Sequence, residues 1–322
     1  MVDKLKACPT TGRGGFDREI GDFARCKNRR QRPPALRSDS VPLKAFILVA
    51  IAAFAHSTWN LIAKRAAHSK HVIWFSSMAE TVLFLPIAVW VISISYSTLG
   101  WKAAAFLLAT GILHIFYFDA LQQGYRVADL SVVYPLARGS GPLLAFFGAI
   151  VTLGERPSAL ACGGALMIAA GVLLLSGFRR GSNRAGIFWG VATGFTIACY
   201  TLTDGYSVKV LLVSPFLVEY AGCVFRLFAL STRGWRDRAD LPREFGLYWK
   251  HALGIAVLLP AGYILVLFAM QIAPVSRVAP IREISMLITA FFGTRFLGEG
   301  HTASRIGGAA LIAAGVAALA SG

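Results

Sequence analysis

Four stretches of this chain, residues 45–63, 157–178, 185–203 and 252–276, contain no Asp, Glu, Lys or Arg. A helix that crosses the hydrocarbon core of a bilayer needs about 20 mostly apolar residues. One such stretch fits inside a large soluble domain, but several in 322 residues do not. Composition agrees: 15% of residues are charged, against an average of about 25% in soluble proteins. The chain is expected to be a multi-pass protein of the cell inner (plasma) membrane, with the lipid bilayer as its surroundings.

The formal net charge of +16 raises the question of a nucleic-acid partner. The basic residues gather in connecting loops and in the first 42 positions, as membrane topology requires of cytoplasmic segments. No recognition motif accompanies them, so no nucleic acid is expected. The five cysteines, Cys8, Cys26, Cys162, Cys199 and Cys223, have neither CxxC nor metal-ligand spacing. No disulfide, metal or cofactor is assigned. The absence of a Gly-rich phosphate loop argues against ATP hydrolysis by this chain.

Residues 1–42 form a basic segment without apolar periodicity, which reads as a disordered extension. Its break in composition suggests a mis-assigned start, with translation beginning near Val41. Helices are expected at about 43–63, 72–96, 101–121, 130–153, 157–178, 185–205, 212–231, 250–272, 276–297 and 303–321. The charged stretch 233–244 reads as the longest internal loop, a solvated connection.

The chain repeats itself. A shift of 144 residues aligns 138–177 with 282–321 without a gap, giving 16 identities in 40 positions. Arg138 meets Arg282, Leu153-Gly154-Glu155 meets Leu297-Gly298-Glu299, and Gly163-Gly164-Ala165 meets Gly307-Gly308-Ala309. At the same shift His56 falls on Tyr200 and Asn60 on Asp204. Low complexity explains matched alanines, but not an arginine, Leu-Gly-Glu and paired glycines in one register. The expected fold is all-α: ten transmembrane helices as two five-helix repeats, 43–178 and 185–321, around a central cavity. Five is odd, so the repeats must insert in opposite directions, an arrangement that recurs in secondary transporters.

Motifs in both halves carry a resemblance. Residues 55–60 read Ala-His-Ser-Thr-Trp-Asn, 198–205 read Ala-Cys-Tyr-Thr-Leu-Thr-Asp-Gly, 133–139 read Val-Tyr-Pro-Leu-Ala-Arg-Gly, and 278–283 read Val-Ala-Pro-Ile-Arg-Glu. Residues 43–322 resemble the EamA-domain transporters of the drug/metabolite transporter superfamily. The resemblance implies the ten-helix fold and export of a small metabolite, and names no single substrate. The expected reading is a secondary transporter of an amino-acid-like or organic-anion compound, not an enzyme. A lipid-carrier flippase and a membrane-embedded enzyme are the alternatives. Partners are the bilayer, the small-molecule substrate and, as a homodimer, a second copy of the chain.

Ionisable residues inside spans cost roughly 2.5–3.5 kcal/mol each to insert and usually face a bundle interior or a wet cavity. Arg138 and Arg282 stand at equivalent repeat positions, three and two residues after Pro135 and Pro280. Kinks at these prolines would free carbonyls and shape a cavity. The arginines suit a carboxylate or phosphonate-like group in the pathway or, structurally, acids such as Glu283, Glu80 or Asp119. Glu80 and Glu219, at comparable depths in helices 2 and 7, suit a proton, an amine or an arginine. His56 with Asn60, and Tyr200 with Asp204, lie four apart on one helical face, either touching substrate or bonding neighbouring helices, with Asn60 and Asp204 near helix ends. His114 and Asp119 form a weak H-x4-D whose members diverge on a helix. Glu155 and Glu299 read as solvated charges at helix boundaries. Gly164 with Gly171, and Gly308 with Gly315, form close-packing faces.

Overall fold

The computed structural model describes residues 41–321 except 67, 97–98, 129, 176–183, 237–238 and 298–302. The basic extension and Glu299 lie outside the described residues. All regular structure among the described residues is helical: α1 (Leu43–Arg65), α2 (Val72–Ser95), α3 (Trp101–Val127), α4 (Leu130–Thr152), α5 (Ala159–Leu175), α6 (Arg184–Lys209), α7 (Pro215–Arg236), α8 (Leu241–Ile272), α9 (Val275–Ile281), α10 (Ile284–Leu297) and α11 (Ala303–Ser321). Five of them, α1, α2, α3, α6 and α8, are long and apolar enough to cross a membrane. Outward faces carry large apolar side chains such as Phe54, Val82, Trp90 and Phe195, each more than half exposed. In water such a surface is a liability; in lipid it is the solvent-matched face.

Packing pairs the helices across the chain. α1 lies along α8 and α3 along α6; α4 lies along α6 and α1 along α10; α2 packs on α7, and α5 on α11. The α5–α11 contact is the closest in kind. A Cβ on Gly164 would come within 2.7 Å of the Gly315 carbonyl oxygen, and one on Gly315 within 2.7 Å of the Gly164 carbonyl oxygen. Both positions need glycine, because lipid offers no hydrophobic drive and close backbone contact must supply the attraction.

Two expectations from the sequence are corrected here. Residues 233–244 are not a long loop: α7 runs through Arg236 and α8 begins at Leu241. Asp240 precedes α8 and Pro242 sits in its first turn, where a missing N–H costs nothing. Glu244, one turn in, accepts the Ser69 hydroxyl at 2.6 Å and lies 3.3 Å from the His71 ring, tying the α1–α2 turn to α8. The second correction concerns 276–297, which is two helices and not one. Pro280 has no N–H, and its ring crowds the carbonyl four residues back. Bonds from Glu283 to Pro280 (2.9 Å), Ser285 to Arg282 (3.2 Å) and Met286 to Glu283 (2.8 Å) then carry the chain through a tighter turn between α9 and α10. In contrast, α4 contains Pro135 and Pro142 and remains one helix. It is held against α6, where a Cβ at Gly141 would sit 2.8 Å from Ile197.

Candidate functional site

The turn between α9 and α10 puts two charged residues in the bundle interior. Glu283 is fully buried, and its Oε2 lies 2.9 Å from the Arg138 guanidinium of α4. Arg282 approaches the other oxygen at 3.9 Å. Arg138 also donates to the Ser285 hydroxyl at 3.3 Å. The Nε atoms of both arginines are buried without a hydrogen-bond partner among the described residues. From the opposite side, the Ser57 hydroxyl on α1 lies 2.9 Å from the Ser285 carbonyl and receives the Thr289 hydroxyl at 3.2 Å. The turn is thus gripped by α1 and α4, and two guanidiniums share one carboxylate.

Beside this cluster stands a group of aromatic rings. Tyr200 of α6 stacks on His114 of α3, with centroids 4.4 Å apart, and meets Tyr117 edge-on at 5.8 Å and Tyr263 of α8 at 6.4 Å. One turn along α6, Asp204 is fully buried and accepts the Tyr263 hydroxyl at 2.5 Å. Its Oδ1 has no hydrogen-bond partner among the described residues. On α1, the His56 ring receives the Trp59 indole N–H at 3.3 Å, and Asn60 donates to the His56 carbonyl at 2.7 Å.

A second charged cluster joins α2 to α7. Arg226 donates to Glu80 Oε2 at 2.7 Å and to the Ser77 hydroxyl at 2.9 Å, while Glu219 Oε1 lies 3.9 Å from the same guanidinium. All three charged residues are buried. The Cys223 thiol, also buried, points at the Ser77 carbonyl at 3.5 Å.

With this geometry in hand, comparison with known proteins is direct. The EamA-like transporter family model matches residues 184–321. A protein of Sinorhizobium sp, described as an uncharacterized transporter in the cobO 3' region, is 30% identical over 98 residues, which is 30% of this chain and 67% of that protein. The chain belongs to the EamA-like transporter family. A solved crystal structure superposes with a TM-score of 0.63 over 85% of this chain and 95% of the other, at 16% identity, which speaks to the fold alone.

In this EamA chain the residues singled out from sequence fall into three groups. Arg138, Arg282 and Glu283 meet at the α9–α10 turn, with Tyr200 and Asp204 on the neighbouring α6. Glu80 and Glu219 meet separately around Arg226; of the acids named as partners for the repeat arginines, only Glu283 is one, and Asp119 is exposed. His56 and Asn60 bond within α1. Two readings are corrected. Asp204 does not sit where polarity is cheap, since it is fully buried. Glu155 is not solvated: its two oxygens accept the N–H groups of Val275 (2.8 Å) and Ser276 (2.9 Å), and Lys209 reaches Oε1 at 3.4 Å. It caps α9, satisfying donors that a helix start leaves open.

Sequence reasoning passed over Tyr263 and Ser57, and it counted Arg226 among the ionisable residues inside spans without pairing it to Glu80 or Glu219. That pairing had a signal: Glu219, Cys223 and Arg226 at i, i+4 and i+7 share one face of α7. Tyr263 sits in the charge-free stretch 252–276, where nothing marks one polar residue among many apolar ones.

Proposed function

We propose that this chain is a secondary transporter made of two inverted five-helix repeats, 43–178 and 185–321, which exports a small carboxylate-bearing metabolite, amino-acid-like or an organic anion, across the inner membrane. The helix pairings support the repeats, because exchanging the halves maps α1–α8 onto α6–α3 and α4–α6 onto α10–α1, and maps α5–α11 and α2–α7 onto themselves. Export as the direction rests on the family resemblance. The observation that carries the substrate class is the cluster of Arg138, Arg282 and Glu283: two guanidiniums, one carboxylate, and both Nε donors without a hydrogen-bond partner among the described residues. An uncompensated buried charge is costly, and a planar guanidinium accepts a carboxylate in two places. Asp204, the next acid, is already held by Tyr263. A substrate carboxylate would supply the missing negative charge, and the rings of Tyr200, Tyr117 and His114 would face its apolar part.

Flux in reconstituted vesicles tests this reading. Radiolabelled amino acids and dicarboxylates should move saturably, and their methyl esters or amides should neither move nor compete. If no carboxylate moves while a fluorescent lipid analogue crosses between leaflets, the protein translocates lipid and the reading fails.

A further inference from the structure

The cluster between α2 and α7 has the opposite imbalance to the site above. Glu80 and Glu219 face one guanidinium, Arg226, so the group carries one negative charge too many when both acids are ionised. Glu80 takes the arginine at 2.7 Å, with Ser77 accepting the guanidinium's Nε–H at 2.9 Å. Glu219 is left at 3.9 Å, and its buried Oε1 has no hydrogen-bond partner among the described residues. Among the described residues, no lysine or second arginine pairs with either acid. The other titratable groups described around Glu219 add no permanent cation. On its own helix are Tyr220 and Cys223, the latter bonded toward α2. From α3, the His114 ring comes 3.9 Å from where a Cβ of Gly222 would stand. From α6 comes Asp204, a further acid, which accepts the hydroxyl of Tyr263 from α8. Two carboxylates in one dry place cannot both stay charged beside a single cation.

We propose that Glu219, with Glu80 and Arg226, is a proton-binding site, and that this proton is the coupling ion of the transport reaction. The second clause rests on the transport reading above. A proton fits better than a metal cation because the guanidinium already occupies the cation position beside Glu80. In binding, one proton from water adds to a Glu219 carboxylate oxygen and the cluster becomes neutral; in release, it returns to water and the excess charge reappears. The site lies where α2 packs on α7. A movement that parts these helices wets Glu219 and removes the penalty on its charge, so proton release and helix separation are one event.

Infrared spectroscopy of the purified protein in nanodiscs tests the site without any substrate. At neutral pH the wild type should show the carbonyl stretch of a protonated carboxyl, lost on raising pH. Both Glu219→Gln and Glu80→Gln should abolish that band, because the remaining acid then pairs with Arg226 and sheds its proton. Glu219→Asp should keep the band at a shifted frequency and guards against misfolding of the amides. Absence of a titrating band in the wild type, or its survival in both Gln variants, overturns the site. Vesicle flux tests the coupling: an imposed pH gradient should drive accumulation at least tenfold in the wild type and not at all in Glu219→Gln. Wild-type flux indifferent to pH but driven by a sodium gradient overturns the coupling. A correct infrared pattern with no flux of any carboxylate sinks the transport reading and leaves the proton site standing.

Discussion

The helices α4 and α9–α10 align with each other in sequence at a shift of 144 residues, yet one is whole and the other broken. Both carry a proline followed by Ile or Leu, Ala or none, and then an arginine; the 144-residue shift sets Arg138 on Arg282 and Gly139 on Glu283. In α4 the chain stays helical through Pro135, and a Cβ added at Gly139 would lie 3.4–3.5 Å from Leu173 and the Ala169 carbonyl of α5. In the other copy the helix stops at Ile281, and a fully buried glutamate stands where the glycine stood. The difference teaches that a repeat conserves the register of a charge without conserving its job. Arg138 reaches across to the partner half, whereas Arg282 stays beside its own neighbour at the break.

The comparison breaks most easily at Glu283. Replacing it with Ala leaves two buried guanidiniums without their shared carboxylate, which should cost about 3–5 kcal/mol of stability. Chemical denaturation in detergent measures this, and a loss under about 1 kcal/mol would mean that Glu283 is not what holds the arginines.

Next come the arginines themselves. Arg138→Gln removes the 2.9 Å contact to Glu283 and should cost about 3 kcal/mol, the lower end for breaking a buried pair. Arg282→Gln removes a contact of only 3.9 Å and leaves one cation facing one anion. It should cost about 1 kcal/mol and, on the proposed function, abolish carboxylate flux while the protein stays folded. Equal stability losses in the two variants would erase the distinction between the halves.

How much of this was legible beforehand follows from what each feature depends on. The spans were readable because a bilayer enforces long charge-free runs. The meeting of Arg138 with Glu283 was not fixed by spacing, since their contact crosses from one half to the other. The break at 282–283 was hidden for a related reason: Pro135 and Pro280 look alike locally, and only the packing of α4 on α6 decides that one helix survives its proline. Glu155 misled because a charge in a turn usually meets water, whereas here the bare N–H groups of α9 arrive from 120 residues away.

The prolines therefore separate the halves by sign. Pro135→Ala relieves an unbroken helix of an interior proline, which costs roughly 3 kcal/mol in an isolated helix, and should raise stability by up to about 2 kcal/mol. Pro280→Ala lets α9 run on toward α10, displacing Arg282 and Glu283. Its stability should change by less than about 1 kcal/mol, since a gained helical bond offsets lost contacts, while flux falls at least tenfold. If Pro135→Ala lowers flux as much as Pro280→Ala, both prolines shape the pathway and the contrast is lost.

The smallest effect is expected at Gly139, and it is the most informative partner to Glu283. A Cβ built there meets Leu173 at 3.4 Å and the Ala169 oxygen at 3.5 Å, which is ordinary van der Waals contact. Space is therefore no obstacle to alanine, and Ala favours a helix interior over Gly by roughly 0.8–1.0 kcal/mol. Gly139→Ala should leave stability unchanged or raise it by up to about 1 kcal/mol. The two crowded glycines nearby act as controls: at Gly141 a Cβ falls 2.8 Å from Ile197, and at Gly171 2.8 Å from the Gly308 carbonyl oxygen. Alanine at either should destabilise, because a tight helix crossing would have to open. Thus alanine at repeat position 139 is harmless, whereas alanine at its counterpart 283 is severe. A clear loss at Gly139, measured alongside Gly141→Ala and Gly171→Ala in the same detergent, would mean that the α4–α5 contact is tighter than the geometry allows, and that this position constrains both halves after all.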